Sequence, residues 1–150
     1  MNDLVFVYGT LMLSSGHPMG IKLAAEADFI GDAQVQGRLY DFGKWPGLYL
    51  SEEASEVVHG EAWRLRSPES LDWMDEYEGI RPDVAQPEYE RILHKITLEK
   101  RGVATASLYA YRWPIDYHPR ILSGRWVERA AFRPPSAHSR HQNYRETALL

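Results

Sequence analysis

The sequence contains no cysteine. Disulfide bonds, thiolate nucleophiles and zinc sites with thiolate ligands are therefore excluded. The six histidines offer no substitute, because none of those from His17 to His118 stands at metal-ligand spacing from another. His138 and His141 lie in a polar tail, where surface exposure is the simpler explanation. A nucleophilic-serine motif and a phosphate-binding glycine loop are missing too, so the sequence predicts no metal and no cofactor.

Long apolar segments and a concentrated basic surface are also missing. No apolar run reaches the roughly 18–20 residues that a membrane span requires, and the N-terminal residues lack the basic region of a signal peptide. The net charge of −4 speaks against nucleic acid as the main partner, because phosphate binding needs a concentrated basic face. We therefore expect a cytoplasmic protein with no membrane partner and no nucleic-acid partner.

The remaining composition is typical of a soluble globular protein. The 150 residues are 44% hydrophobic and 25% charged, which is enough for one hydrophobic core. No internal repeat and no linker divides the chain. The sequence therefore predicts a single domain over residues 1–150, with its core at about 4–127 and a separate tail at 131–150.

Apolar periodicity and turn residues predict an α+β fold, a compact mixed sheet or half-barrel with few helices. The strands are expected at Leu4–Tyr8, Ala33–Gly43, Val57–Leu65, Tyr89–Leu98 and Val103–Trp113. The helices are expected at His17–Phe29, stopped by Gly31, at Ser67–Gly79, and after Arg140. Ser67 is a typical N-cap and Gly79 a typical left-handed C-terminal stop. Pro46 and Gly47 predict a turn at Lys44–Leu48.

The turn after the first strand is a candidate site. The apolar strand ends on Tyr8-Gly9-Thr10-Leu11, where successive backbone N–H groups can form a concave donor cluster for a carboxylate or an oxyanion. Tyr8 would add a phenol and Thr10 a hydroxyl. Alternatively, this is an ordinary turn in which Gly9 meets only a backbone requirement.

Glu78 is a second candidate, because it lies at the C-terminal end of a predicted helix. The partial negative charge of that helix end opposes ionisation of a carboxyl group, and burial beside Trp73 and Tyr77 would act in the same direction. A glutamate whose pKa is raised toward neutrality can both take and return a proton. Alternatively, Glu78 belongs to a solvated acidic helix face.

Arg91 is a third candidate. It stands two residues after Tyr89, so both side chains lie on one face of the same predicted strand. Its guanidinium could hold a substrate carboxylate as a two-pronged donor, or pair with one of the helix acids.

Taken in order, these segments resemble the gamma-glutamylcyclotransferase-like family, also called AIG2-like, which includes the gamma-glutamylamine cyclotransferases. The resemblance is carried by VYGTL, GRLYDFGKWPGL, HGEAWRL, LDWMDEYEG and YERILHKI. It extends from about Leu4 to Tyr111, and LSGRW at Leu122–Trp126 resembles the stretch near the family's end. It implies a mixed β-barrel or half-barrel with flanking short helices, and a pocket where the YGTL turn meets the glutamate.

The resemblance also implies roles for particular residues. Tyr8, Gly9, Thr10 and Leu11 would bind the substrate, and Glu78 would be the catalytic acid and base. The implied reaction is attack of the substrate α-amine on its own γ-glutamyl carbonyl, which releases 5-oxoproline and a free amine. The implied partner is a small γ-glutamyl compound, and the chain would be a monomer or a homodimer.

Two features leave the identity of the departing amine undetermined. Met12-Leu13-Ser14-Ser15 follow the turn where some family members have basic residues, and a proline-containing loop between Gly79 and Tyr89 could act as a lid over Glu78.

The alternative function, from a different class, is a non-catalytic protein that binds or senses a small carboxylated metabolite on the same fold. Retention of Glu78 favours the enzyme, since a carboxylate binder gains nothing from another negative charge.

Overall fold

The computed structural model describes residues 2–115 and 117–127. The possible helix after Arg140 and the tail at 131–150 lie outside the described residues. Seven strands form one mixed sheet. They are β1 (Leu4–Val7), β2 (Ala27–Asp41), β3 (Pro46–Leu50), β4 (Val57–Leu65), β5 (Tyr89–Leu98), β6 (Gly102–Tyr111) and β7 (Arg120–Ile121). The helices are α1 (Pro18–Glu26) and α2 (Ser70–Tyr77), with a short 3₁₀ helix at Leu13–Ser15.

Five of these strands close into a barrel. The order is β2-β4-β1-β6-β5, and β5 pairs back onto β2 through Ala33 and Gln34. The β1–β6 pairing is parallel and the other pairings are antiparallel, so the sheet is mixed. β3 and β7 pair with the last third of the long β2, beyond the barrel. The predicted mixed β-barrel with flanking short helices is confirmed.

Strand β1 is apolar at every position because both of its faces are buried. All four of its residues are buried, and Phe6 is 1% exposed. Leu108 on the neighbouring β6 and Leu39 on β2 are fully buried as well. Burial of each such side chain stabilises the fold by about 1.5–3 kcal/mol. This packing holds in place the end of the barrel from which the Tyr8–Leu11 turn emerges.

The predicted boundary between the first helix and the second strand is wrong. Helix α1 ends at Glu26 and the chain is already extended at Ala27, where it pairs with Leu65. Arg66 explains the early stop, because its backbone N–H and its guanidinium donate to carbonyls of the last helical turn at Glu26 and Ala25. Gly31 is therefore no helix stop; it lies at a register shift within β2.

Two smaller expectations also need correction. The sequence predicts a turn at Lys44–Leu48, but Pro46 begins strand β3. The turn lies at Phe42–Trp45, where the Phe42 N–H donates to the Trp45 carbonyl. The helix expected from Ser67 begins at Ser70, after one tight turn closed by the Ser70 N–H and the Ser67 carbonyl. The left-handed stop at Gly79 is confirmed, with φ of 81°. No helix among the described residues is long and apolar enough to cross a membrane.

Candidate active site

A cavity of about 300 Å³ opens where the Tyr8–Leu11 turn meets the C-terminal end of α2. Its volume is at the lower end of the range of ligand pockets. The cavity is lined by the turn, the helix end, the loop that follows the helix, and aromatic residues from the sheet. The lining residues used below are Tyr8, Gly9, Thr10, Leu11, Trp45, Pro46, Tyr77, Glu78, Arg81, Glu88, Tyr89, Tyr109 and Trp113. The structure therefore brings together Glu78 and all four candidate turn residues.

The turn is held close to strand β3 through Gly9. A Cβ atom at Gly9 would lie 2.6 Å from Cγ of Pro46, which is too close for any side chain. Glycine is thus needed here for a close approach. Among the described residues, no acceptor pairs with the backbone N–H groups of Gly9, Thr10 and Leu11. These donors are available to an anionic group in the cavity.

Thr10 joins the turn to the helix. Its Oγ1 lies 2.7 Å from the Tyr77 hydroxyl, and either atom can be the donor. Since each hydroxyl carries one hydrogen, one donates to the other and the pair keeps one hydrogen for a ligand. Thr10 is itself only 8% exposed. This contact fixes the distance between the turn and the helix end that carries Glu78.

The Tyr8 phenol is already engaged by the backbone. Its hydroxyl donates to the Tyr109 carbonyl at 2.6 Å and accepts from the Leu48 N–H at 3.2 Å. Burial raises the pKa of Tyr8 well above its usual value, so the phenol stays neutral. Tyr89 is held similarly, through a 2.7 Å hydrogen bond to the Pro46 carbonyl. Both rings form walls of the cavity.

Glu78 caps the C-terminus of α2. Its N–H donates to the Met74 carbonyl at 3.0 Å, and Gly79 then turns the chain away in a left-handed conformation. No hydrogen-bond donor among the described residues contacts the Glu78 carboxyl group, which lines the cavity. Burial, and secondarily the negative charge of Asp75 one turn earlier, raises the pKa of Glu78 to about 8. Glu78 can therefore exchange a proton near neutral pH.

Asp75 is the centre of a small polar network behind Glu78. The Arg91 guanidinium donates to both carboxylate oxygens of Asp75, at 2.9 and 3.2 Å, and the Tyr109 hydroxyl donates at 2.6 Å. Arg91 is not among the residues that line the cavity. Of the two roles left open for Arg91, pairing with a helix acid is the one the structure displays.

The loop between Gly79 and Tyr89 forms one side of the cavity. Arg81, Val84, Gln86, Pro87 and Glu88 all line it. The loop lies where a lid would have to be, and its closure stays a prediction. Sequence reasoning missed three aromatic residues of the cavity wall, Trp45, Tyr109 and Trp113. Tyr109 had one readable signal, because the β5–β6 hairpin register sets it directly opposite Arg91.

The chemistry of the lining residues is that of proton transfer and anion binding. No group of three or more metal-ligating side chains is found within residues 2–115 and 117–127. One carboxyl group with a raised pKa faces a cavity that also carries unpaired backbone donors and one spare hydroxyl hydrogen. Such a site can bind a carboxylate and move a proton at an atom held beside it.

One family model matches most of this chain. The family model described as gamma-glutamyl cyclotransferase, AIG2-like matches residues 5–128. The gamma-glutamylcyclotransferase family protein YtfP of Escherichia coli K12 is 28% identical over 126 residues, which are 83% of this chain and 96% of YtfP.

Solved structures extend the likeness to the fold. YkqA from Bacillus subtilis superposes with a TM-score of 0.64 at 22% identity over 89% of this chain, and the chain spans 44% of YkqA. An AIG2-like protein from Mus musculus superposes with a TM-score of 0.63 at 20% identity, over 80% of this chain and 86% of that protein. At these identities the two structures show a shared fold.

Proposed function

This chain belongs to the gamma-glutamyl cyclotransferase, AIG2-like family, and from that premise we propose that it cyclises the γ-glutamyl group of a small substrate. The products are 5-oxoproline and a free amine or amino acid. The observation that carries the proposal is the half-buried Glu78 carboxyl group, whose pKa is raised to about 8, beside a turn with unpaired backbone donors.

The turn supplies the anchor for the substrate. The N–H groups of Gly9, Thr10 and Leu11 bind the α-carboxylate of the γ-glutamyl group, since backbone donors in a concave turn suit an anion. The spare hydroxyl hydrogen of the Thr10–Tyr77 pair donates to the γ-carbonyl oxygen, where negative charge develops during attack. The neutral aromatic walls exclude water and strengthen both interactions.

Glu78 carries the protons. The substrate ammonium has three hydrogens and the ring nitrogen of 5-oxoproline keeps one, so two protons must leave the attacking nitrogen. Ionised Glu78 takes the first, and the freed amine attacks the γ-carbonyl carbon to form the new C–N bond. Glu78 then protonates the departing nitrogen as the old C–N bond breaks. Glu78 transfers the second proton from the attacking nitrogen to the departing nitrogen in the same way. The product amine is therefore released as an ammonium.

No nucleophile from the protein is required for this reaction. The attacking nitrogen and the carbonyl carbon belong to one molecule, and closure of a five-membered ring benefits from that tether. The work of the protein is to hold the folded conformer and move two protons. The Glu78 carboxyl group and the turn donors suffice for both tasks.

The direct test is to incubate the purified protein with a panel of γ-glutamyl amines and γ-glutamyl amino acids and to measure 5-oxoproline by mass spectrometry. We expect turnover by the wild type and its loss in Glu78→Gln, with circular dichroism unchanged. Glu76→Gln is the matched control, because Glu76 is an exposed glutamate on the same helix. Turnover that survives in Glu78→Gln would refute the role of Glu78.

The same experiment addresses the binding-protein alternative. Calorimetric binding of panel members with no 5-oxoproline from any of them would favour a protein that senses a carboxylated metabolite. Glu78 argues against that outcome, since its carboxylate, whenever it is ionised, weakens the binding of an anion and gives a pure binding protein no advantage.

A further inference from the structure

One cationic side chain stands among the described residues that line the cavity. Arg81 lies two residues beyond Gly79, and the other charged lining groups are Glu78 and Glu88. The guanidinium group of an arginine has a planar set of donors that matches a carboxylate. The position of Arg81 therefore bears on which substrates the site accepts.

Arg81 has no strong partner among the described residues. Its ion-pair contact is Asp83, at 3.7 Å from Nε, with side chains 42% and 79% exposed. That distance is too long for a hydrogen bond, and an exposed pair of this kind contributes little to stability. The guanidinium donors remain available to a ligand.

The exposure of the lining residues separates the floor of the cavity from its mouth. Tyr8, Tyr89 and Tyr109 are 7%, 5% and 3% exposed, and they surround the space beside Glu78. Arg81 and Trp113 are far more exposed, at 42% for the Arg81 side chain and 44% for Trp113. The exposed end of the cavity, where a departing amine has room, therefore carries Arg81 and Trp113.

We propose that Arg81 binds a carboxylate on the departing amine, so that the preferred substrates are γ-glutamyl amino acids rather than γ-glutamyl amines without a carboxylate. This inference depends on the proposed function. The γ-glutamyl group presents its own α-carboxylate to the turn, and a γ-glutamyl amino acid adds a second one on the far side of the scissile bond. Arg81 is the group at the mouth that can pair with it.

The test compares two substrates that differ only in that carboxylate, γ-glutamylphenylalanine and γ-glutamylphenethylamide. Both carry the same phenyl group, so contacts with Trp45 and Trp113 are held constant. The measured quantity is the ratio of kcat/KM for the amino acid to that for the amide. In Arg81→Gln we expect this ratio to fall about tenfold, the size of one charge-assisted hydrogen bond lost at the transition state.

The matched control is Arg101→Gln, which makes the same charge change at the exposed β5–β6 turn, away from the cavity. We expect it to leave the ratio as in the wild type. An unchanged ratio in Arg81→Gln would overturn the inference. Equal losses for both substrates would overturn it as well, because Arg81 would then bind the γ-glutamyl end that the two share.

Failure of the proposed function gives a different pattern. If the wild type binds these compounds but forms no 5-oxoproline, the cyclisation is wrong, and the ratio of calorimetric dissociation constants in wild type and Arg81→Gln still decides the role of Arg81. If the wild type binds neither compound, both proposals are overturned.

Discussion

The pH dependence of kcat/KM is the sharpest consequence of the Glu78 environment. Burial raises the pKa of Glu78 to about 8, with a smaller contribution from Asp75. The carboxylate must be ionised before it can accept a proton from the substrate ammonium. We therefore expect kcat/KM to fall as the pH is lowered through that value, and to fall again in alkali as the free substrate loses its ammonium proton.

The magnitude follows from the pKa. With a pKa of about 8, roughly a tenth of the protein carries an ionised Glu78 at pH 7 and roughly a hundredth at pH 6. On the acid side kcat/KM should thus drop about tenfold per pH unit. The acid limb of kcat should lie at lower pH, because a bound ammonium beside Glu78 favours the ionised carboxylate.

The assay is the initial rate of 5-oxoproline release across roughly pH 5.5 to 9.5, fitted for both kinetic parameters. Tryptophan fluorescence over the same range checks that the protein stays folded, so that the limb reports ionisation alone. A kcat/KM that stays flat to about pH 5, as expected for an ordinary glutamate, would refute the argument that burial tunes Glu78.

Three further predictions concern the surroundings of Glu78 and the stability of the fold. Asp75→Asn should move the acid limb of kcat/KM to lower pH, because it removes a negative charge near Glu78 and leaves Arg91 without its partner; the exposed Asp72→Asn on the same helix should not. Gly9→Ala should raise KM and destabilise the protein by about 1–3 kcal/mol in urea unfolding, because its Cβ would lie 2.6 Å from Pro46 Cγ; unaltered KM would contradict the close packing of the turn. His17 caps α1 through Nδ1, and burial lowers the pKa of His17 to about 4. The unfolded chain therefore binds this proton first, and stability falls as pH drops from about 6.5 to about 4, by about 3 kcal/mol. His17→Asn keeps a capping side chain and should lose that part of the pH dependence. If the urea midpoints of His17→Asn and of the wild type vary with pH in the same way, the assignment to His17 is wrong.

The elements read most accurately from sequence are those with strong local signals. Gly79 adopts the left-handed conformation expected of it, so the end of α2 and the place of Glu78 near that end could be predicted. The β5–β6 hairpin likewise matches its predicted strands to within a few residues, because alternation and a turn at Lys100–Gly102 define it locally.

Features that depend on distant partners differ from the sequence prediction. Leu23 and Ala27 have helical spacing, yet Ala27 belongs to a strand because β4 is available to pair with it. Pro46 and Gly47 have turn chemistry, but Gly9 packs against Pro46 and β2 pairs with both residues. No local sequence signal predicts either of these partners.

The same distinction applies to the site. Tyr8–Leu11 and Glu78 carry recognisable motifs, and the structure sets them around one cavity. The sequence indicates that the Arg91 guanidinium binds a carboxylate, but it does not identify which one. That partner, Asp75, depends on the strand register that aligns Arg91 with Tyr109. Arg81 has no motif at all, and its position at the mouth follows only from the path of the loop.

The most direct test of the central claim is a crystal structure of Glu78→Gln with uncleaved γ-glutamylphenylalanine bound. We predict the substrate α-nitrogen within hydrogen-bonding distance of the side chain at position 78, and the α-carboxylate on the N–H groups of Gly9, Thr10 and Leu11. A substrate whose α-amine points to solvent, with its γ-carbonyl away from position 78, would contradict the account.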